Sequence, residues 1–203
     1  MARRPGNADR RLIAAAKEIV IVQGCSGLRV RDVARRAGVN LGMFHYHFQN
    51  KKRFTRVLLT EFYEGFFKKF SVASREGPDA ITQLRNALLA MARFIHSERH
   101  LIAAILKDVL NGDPEVTRFV RANLPRHAGV IHELLLKSQR EGSLKQMPLM
   151  HAMAFVLTAV NAPTLIGGVI EKVGPADFPE LDLFVSDEAI VQRIELAVKG
   201  LEP

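Results

Sequence analysis

The chain has 203 residues, with 29 Lys and Arg against 21 Asp and Glu, a formal charge of +8. Hydrophobic residues make up 48% and charged residues 25%, which excludes wholesale disorder and permits a sizeable core without metals or disulfides. Cys25 is the only cysteine, which excludes a disulfide framework and a cysteine-based zinc site and fits a reducing interior.

Met1-Ala2-Arg3-Arg4-Pro5 leads straight into charged sequence, so no secretory leader is expected. From Ala8 to Gln23, Leu12, Ala15, Ala16, Ile19, Val20 and Val22 keep near-helical spacing, and Gly24 is expected to end that helix in a left-handed conformation. Val30, Val33, Ala34 and Ala37 repeat at one-turn spacing and predict a short helix with one apolar face. Gly38 closes it, Val39 fills the turn, and Asn40 is placed to cap a third helix reaching about His47, with Phe44 and Phe48 on one face. Asn50 is placed to cap a long fourth helix from Lys51 to about Ser74. Pro78 suits the first turn of a helix running to about Glu98. Leu101–Leu110 follows and stops at Asn111-Gly112-Asp113-Pro114. The stretch Pro114–Gly142 is predicted to break or kink at Pro125. Pro148–Val173 and Ser186–Gly200 complete the helices, with a loop over Gly174–Val185. The longest apolar stretch, Met150–Ile170, contains His151, Asn161 and Pro163, which favours a buried helix over a membrane span. No segment alternates with period two long enough for a strand, so the expected class is all-α.

The junction Ala37-Gly38-Val39-Asn40 has the mechanics of a helix-turn-helix. Small Ala34 and Ala37 let two helices approach, Gly38 supplies a backbone angle that bulkier residues resist, and Asn40 starts the next helix. In such a unit the second helix enters a major groove about 12 Å wide. The charge agrees. Residues 1–56 hold 13 basic and 3 acidic side chains, so the whole positive excess lies in the first quarter of the chain. Arg29, Arg31, Arg35, Arg36, Lys51, Lys52 and Arg53 suit phosphate contact, although Arg35 and Arg36 equally suit a solvated face. Arg3 and Arg4 suit either a minor-groove arm or an uninvolved terminus. Phe44 and Phe48 read as core residues rather than DNA contacts.

The stretch from Val30 to Asn40, followed by Gly42-Met43-Phe44-His45-Tyr46-His47-Phe48-Gln49-Asn50-Lys51-Lys52-Arg53-Phe54, resembles the tetracycline-repressor (TetR) family of bacterial regulators. The resemblance covers roughly residues 8–56 and implies a helix-turn-helix DNA-binding domain over 1–56. It implies a helical ligand-binding and dimerisation domain over 57–203. It further implies that Gly42 allows close approach to DNA, that His45 and Tyr46 lie near phosphates and base edges, and that Lys51 holds a phosphate. Departures are visible. Leu28 and Arg29 stand where a Thr/Ser pair commonly caps the second helix, and His45 stands where Tyr is common. Leu41 and Met43 replace more polar residues and could touch thymine methyl groups.

Enzyme chemistry is not expected. There is no Gly-rich phosphate loop and no Gly-x-Ser-x-Gly elbow, and His132-Glu133 lacks the second histidine of a zincin. His96 and His100 are four apart, a metal-ligand spacing, but with no third ligand nearby a solvated helix end is the default. Cys25 reads as an ordinary thiol because no resolving cysteine exists. Neither cofactor nor metal is expected.

The remaining chain would supply dimerisation, since a two-fold dimer lets recognition helices meet major grooves about 34 Å apart. Ala152, Phe155, Val156, Ala159 and Ala162 form one stripe, and Ile190, Ile194, Ala197 and Val198 another. They serve either a dimer seam or the protomer's own core. Phe62, Phe66, Met91, Phe94, Phe155 and Asn161 are candidates for a ligand pocket. Asn161 stands out as an amide amid apolar sequence, two residues before Pro163, which frees a backbone carbonyl. The expected function is a cytoplasmic, dimeric repressor released from double-stranded operator DNA by a small, mostly apolar inducer, with no membrane partner. A regulator that senses no small molecule, or an activator, is the alternative.

Overall fold

A computed structural model of the protein describes residues 7–174 and 181–203. Among them are ten helices and no strand: α1 (Ala8–Gln23), α2 (Val30–Ala37), α3 (Leu41–Phe48), α4 (Lys51–Ala73), α5 (Ala80–Ser97), α6 (Arg99–Leu110), α7 (Pro114–Arg140), α8 (Leu149–Val173), α9 (Asp182–Val185) and α10 (Asp187–Lys199). The caps are local chemistry. Side-chain oxygens of Asn40, Asp79 and Ser186 accept backbone N–H groups in the first turns of α3, α5 and α10, and Asn50 does the same for α4 through the Arg53 N–H at 2.9 Å. At α2 the N-cap is Arg29 and no side chain caps it, as the departure at Leu28 and Arg29 implies.

Two expectations are corrected. Of the break or kink expected at Pro125, the break is absent: α7 runs from Pro114 to Arg140 with the proline inside it. An interior proline costs about 3 kcal/mol, so the flanks must hold it. Asp113 caps the start through Glu115 and Val116, and Ile131, Leu134 and Leu135 are buried beyond the proline. The segment expected as a loop over Gly174–Val185 contains the four-residue α9, while 175–180 lie outside the described residues, as do Arg3 and Arg4.

The chain forms two compact units. The first runs through Glu64 and takes in His100–Asn123. Its core contains Leu12, Ala16, Val20, Val33, Phe44 and Phe54, all fully buried. Phe54 stacks edgewise on Phe44 at 4.9 Å and on Phe48 at 4.7 Å, which ties α3 to the start of α4. The second unit holds Gly65–Arg99 and Leu124–Pro203. There α5, α8 and α10 pack through Leu84, Leu88, Val156, Val160, Ile190 and Val198. Arg99 grips Glu171 with two hydrogen bonds of 2.6 and 3.0 Å, and Arg93 grips Asp187 with two of 2.7 Å.

Helix α8 is less buried than expected. Leu149–Glu171 is long and apolar enough to cross a membrane, with mean hydropathy 1.8, yet only 33% of that window is buried inside the chain. One face packs inward through Ala152, Val156, Val160 and Thr164, while Phe155, Ile166, Val169 and Val173 stay exposed.

The turn between α3 and α4 is strained. Gln49 has φ 65° and ψ −56°, and the Asn50 N–H donates to the Phe48 carbonyl at 2.7 Å, a γ-turn of the rare positive-φ kind. A side chain there costs about 1–3 kcal/mol. Gln49→Gly should therefore raise the unfolding free energy by about 0.5–1 kcal/mol, whereas Gln49→Val should lower it. Urea titration of the three proteins checks this, and a less stable glycine variant would remove the strain argument.

Candidate nucleic-acid interface and ligand cavity

The turn after α2 is built as the sequence predicts. Gly38 is left-handed, with φ 58° and ψ 41°. The Gly38 N–H donates to the Arg35 carbonyl at 3.1 Å and the Val39 N–H to the Ala34 carbonyl at 3.0 Å, which closes the orphan carbonyls of α2. Sequence reasoning missed a further partner. The Arg11 guanidinium, from α1, donates to the carbonyls of Ala37 and Gly38, the latter at 2.8 Å. Its residue type gives no signal, because one arginine among many in a basic helix is unremarkable.

Helix α3 buries Phe44 and Phe48 and turns its other face outward. Tyr46 is 79% and Leu41 37% exposed; Gly42 and His45 are exposed, and Met43 is half-buried. His45 Nδ1 lies 2.9 Å from the Gln49 carbonyl, which pins the ring along the end of the helix. A Cβ at Gly42 would lie 3.3 Å from Asn40 Oδ1, so the small residue protects the cap and leaves the first turn of α3 open to close approach.

The basic side chains divide into two groups. Arg35 pairs with Asp32 at 2.7 Å and Arg36 with Glu18 at 2.6 Å. Glu115 draws Lys52 at 3.0 Å, Arg56 at 3.4 Å and Arg118 at 2.5 Å. Arg29, Arg31 and Arg53 make no side-chain ion pair among the described residues, and the first two are exposed beside the start of α2. Lys51 donates to the Ser26 carbonyl at 2.8 Å, which spends one of its three donors.

Asp108, on α6, organises the α1–α2 loop and was not anticipated. Its buried carboxylate accepts from the Cys25 N–H at 2.6 Å and the Ser26 hydroxyl at 3.1 Å. Gly24 is required there, because a Cβ would lie 2.6 Å from Asp108 Oδ1. Its ψ of 171° departs from the left-handed cap expected, and the following N–H, of Cys25, is bonded to Asp108 instead of folding back on α1. Cys25 is correspondingly sealed. Burial first, and then the charges of Asp108 and Asp113, push its thiol up to about 12.

Within the second unit a cavity of about 340 Å³ lies among α5, α7 and α8. Met91 and Asn161 line it, as expected. The other ligand candidates do not. Phe66 stacks on Phe94 at 4.4 Å, and its ring meets His127 edge-on at 5.7 Å. Phe62 belongs to the first unit, and Phe155 points outward, 48% exposed. Sequence reasoning missed His127 and Thr158, which join Asn161 as the polar groups of the lining. The Asn161 Nδ2 donates to the Leu157 carbonyl at 2.9 Å rather than to the carbonyl freed by Pro163, and Oδ1 is buried without a hydrogen bond.

Residues 12–54 match the pattern described as bacterial regulatory proteins, tetR family. Residues 12–54 are thus similar to the helix-turn-helix of the TetR family. The probable HTH-type transcriptional regulator YttP of Bacillus subtilis (strain 168) is 22% identical over 165 residues, 80% of each chain. Among solved structures, the fatty acid degradation regulator FadR from Bacillus halodurans superposes with a TM-score of 0.75 at 17% identity, covering 98% of each chain. The TetR-family regulator PfmR from Thermus thermophilus superposes at 0.71 with 19% identity, covering 95% of this chain and all of that one. These similarities support a transcriptional regulator with a helix-turn-helix of the TetR type.

The residues expected at a dimer seam fall into two sets. Ala152, Ile190, Ile194 and Ala197 are buried in the protomer's own second unit, because α8 and α10 turn those stripes toward each other and toward α5. Ala159 is half-buried and Phe155 exposed. His96 and His100 do not share a helix, since α5 ends at Ser97 and α6 begins at Arg99. Among the described residues, no group of three His, Cys, Asp or Glu side chains is placed to hold a metal ion.

Because Asp108 seals Cys25, alkylation of that thiol reports opening of the α1–α2 loop. Iodoacetamide at pH 8 should leave native Cys25 unmodified for hours, and Asp108→Ala should speed labelling about tenfold or more, as expected for losing hydrogen bonds to a charge worth about 1.5–3 kcal/mol. Rapid labelling of the native thiol would mean that the loop is not held.

Proposed function

We propose that the protein is a dimeric repressor that reads operator DNA with α3 and leaves it when a small, mostly apolar inducer fills the cavity of the second unit. The observation that carries this reading is the pairing, in one chain, of an outward-facing α3 with an apolar cavity holding an unsatisfied amide. Leu41, Gly42, Met43, His45 and Tyr46 would meet bases and phosphates, and Arg29, Arg31 and Lys51 would hold the backbone. Apolar Leu41 favours a thymine methyl over a hydrogen-bonding edge. The inducer would act by its differential affinity for the conformations that fit and misfit the operator.

The exposed face of α8 supports a homodimer. Ile166, Val169 and Val173 recur at one-turn spacing, Phe155 lies about three turns before Ile166 on the same face, and α10 adds exposed Val191 and Leu196. Apolar positions patterned this way suit a second copy of the same helices. Thr164 and Asn161 on the inward side give α8 polar work within the protein, which a lipid-facing span lacks.

The test is selection of genomic fragments, followed by footprinting and light scattering. Wild type should be a dimer that protects two half-sites in successive grooves. Ile166→Glu should yield monomer and weaken operator binding at least tenfold, because it puts a charge on the seam. A variant that stays dimeric would move the seam elsewhere, and fragments retained through a broad panel of apolar compounds would remove the inducer.

Lys51 gives a second, independent check. If it exchanges the Ser26 carbonyl for a phosphate, Lys51→Ala should weaken specific and random duplexes alike and lower the salt slope by about 0.9. Binding measured from 50 to 200 mM salt decides this, and an unchanged slope in a folded variant would refute the assignment.

A further inference from the structure

We infer that His45 reads an exocyclic amino group in the major groove, that of cytosine or adenine, by accepting a hydrogen bond at Nε2. This rests on the proposed placement of α3 against operator DNA and adds the kind of base edge that one residue selects.

The ring is fixed from behind. His45 Nδ1 lies 2.9 Å from the Gln49 carbonyl oxygen. A carbonyl only accepts, so in the neutral ring Nδ1 carries the proton and donates it. The Gln49 N–H donates in turn to the His45 carbonyl at 3.0 Å, so the two residues are joined by a reciprocal pair of hydrogen bonds. Side chains on a helix lean toward its N-terminus, away from the carbonyl four residues on. Here the two meet because Gln49, with φ 65° and ψ −56°, folds the chain back at the end of α3. Among the described residues it is the one non-glycine with a positive φ. The strained turn therefore has a use: it holds the carbonyl that sets the tautomer of an exposed imidazole.

What the ring has left is an acceptor. With the Nδ1 proton given to the backbone, a neutral imidazole offers another molecule only the Nε2 lone pair, on the side of the ring away from Gln49. His45 is exposed, one turn after exposed Leu41 and Gly42, so that lone pair belongs to the outward surface of α3.

Base edges then sort by polarity. In the major groove cytosine N4 and adenine N6 donate, whereas guanine N7 and O6 and thymine O4 accept. An accepting Nε2 gains a hydrogen bond from the first two and meets a lone pair at the others. Phosphate oxygens accept as well, so the neutral ring is no phosphate clamp, in contrast to Lys51, whose ammonium only donates.

Two measurements on the full chain test this at pH 8, above the ordinary histidine range. The first is nitrogen NMR of isotope-labelled histidines. The resonances lost in His45→Ala should be those of a ring protonated at Nδ1, and a ring protonated at Nε2 overturns the inference. The second uses the operator selected from genomic fragments, rebuilt with one base at a time lacking its amino group: purine for adenine, or pyrimidin-2-one for cytosine. Wild type should lose about tenfold in affinity at one position of each half-site. His45→Ala and His45→Phe should bind the intact operator about tenfold more weakly and lose less than about twofold more at that position. Their salt slopes from 50 to 200 mM should match that of wild type, because no phosphate contact is removed.

Losses that are equal in wild type and both variants at every position overturn the inference. So does a salt slope lower by about 0.9 in both variants, which would make His45 a phosphate contact. The two readings separate cleanly. Selection of no fragment defeats the operator reading, whereas an operator bound without this coupling defeats the role of His45 alone.

Discussion

The first unit depends on one carboxylate. Asp108 is buried on α6, far along the chain from the loop it holds, and its two oxygens occupy the Cys25 N–H and the Ser26 hydroxyl. A buried charge is tolerated only when hydrogen bonds replace the water it has lost, and here the loop backbone provides one of them. The constraint runs in both directions. Gly24 must lack a side chain because the carboxylate stands against it, and the loop between α1 and α2 takes its shape from α6 as much as from its own residues. Lys51 adds a bond to the Ser26 carbonyl from the start of α4. Three consecutive loop residues thus answer to two distant helices, and the placement of α2 follows from them.

Charge in this unit is arranged by removal as much as by supply. Glu115 gathers Lys52, Arg56 and Arg118, and Asp32 and Glu18 take up Arg35 and Arg36. Exposed pairs of this sort contribute little stability, but they withdraw cations from a surface that composition alone would count as uniformly basic. What remains is a smaller set led by Arg29, Arg31, Arg53 and Lys51, near the helix that faces outward.

Much of this was legible in the sequence, for reasons that are local. Helix ends are marked by Gly38, Asn40 and Asn50, whose effects act within three or four residues. The buried pair Phe44 and Phe48 follows from helical spacing. The illegible features are those made by distance. Arg11 and Asp108 reach partners across 26 and 83 positions, and no periodicity points to them. Helix α7 passes through Pro125 because packing on both sides outweighs a local penalty. The stripes of α8 and α10 were visible, but periodicity cannot say which of two apolar faces turns inward. Ala152 and Ile190 are interior while Phe155 and Leu196 are exposed. Asn161 stood out because an amide in an apolar run is conspicuous, yet its hydrogen bond to Leu157 required the folded helix.

The carboxylate that shapes the loop also settles the fate of the chain's one sulfur. Peroxide attacks thiolates, and sulfenic acid is the entry to the whole oxidation ladder. A sulfur sealed at 2% exposure, with its ionisation pushed up to about 12, offers almost no thiolate to attack. A thiol so buried and so weakly ionised is a poor target for peroxide, so oxidants that modify an open cysteine are expected to spare this loop.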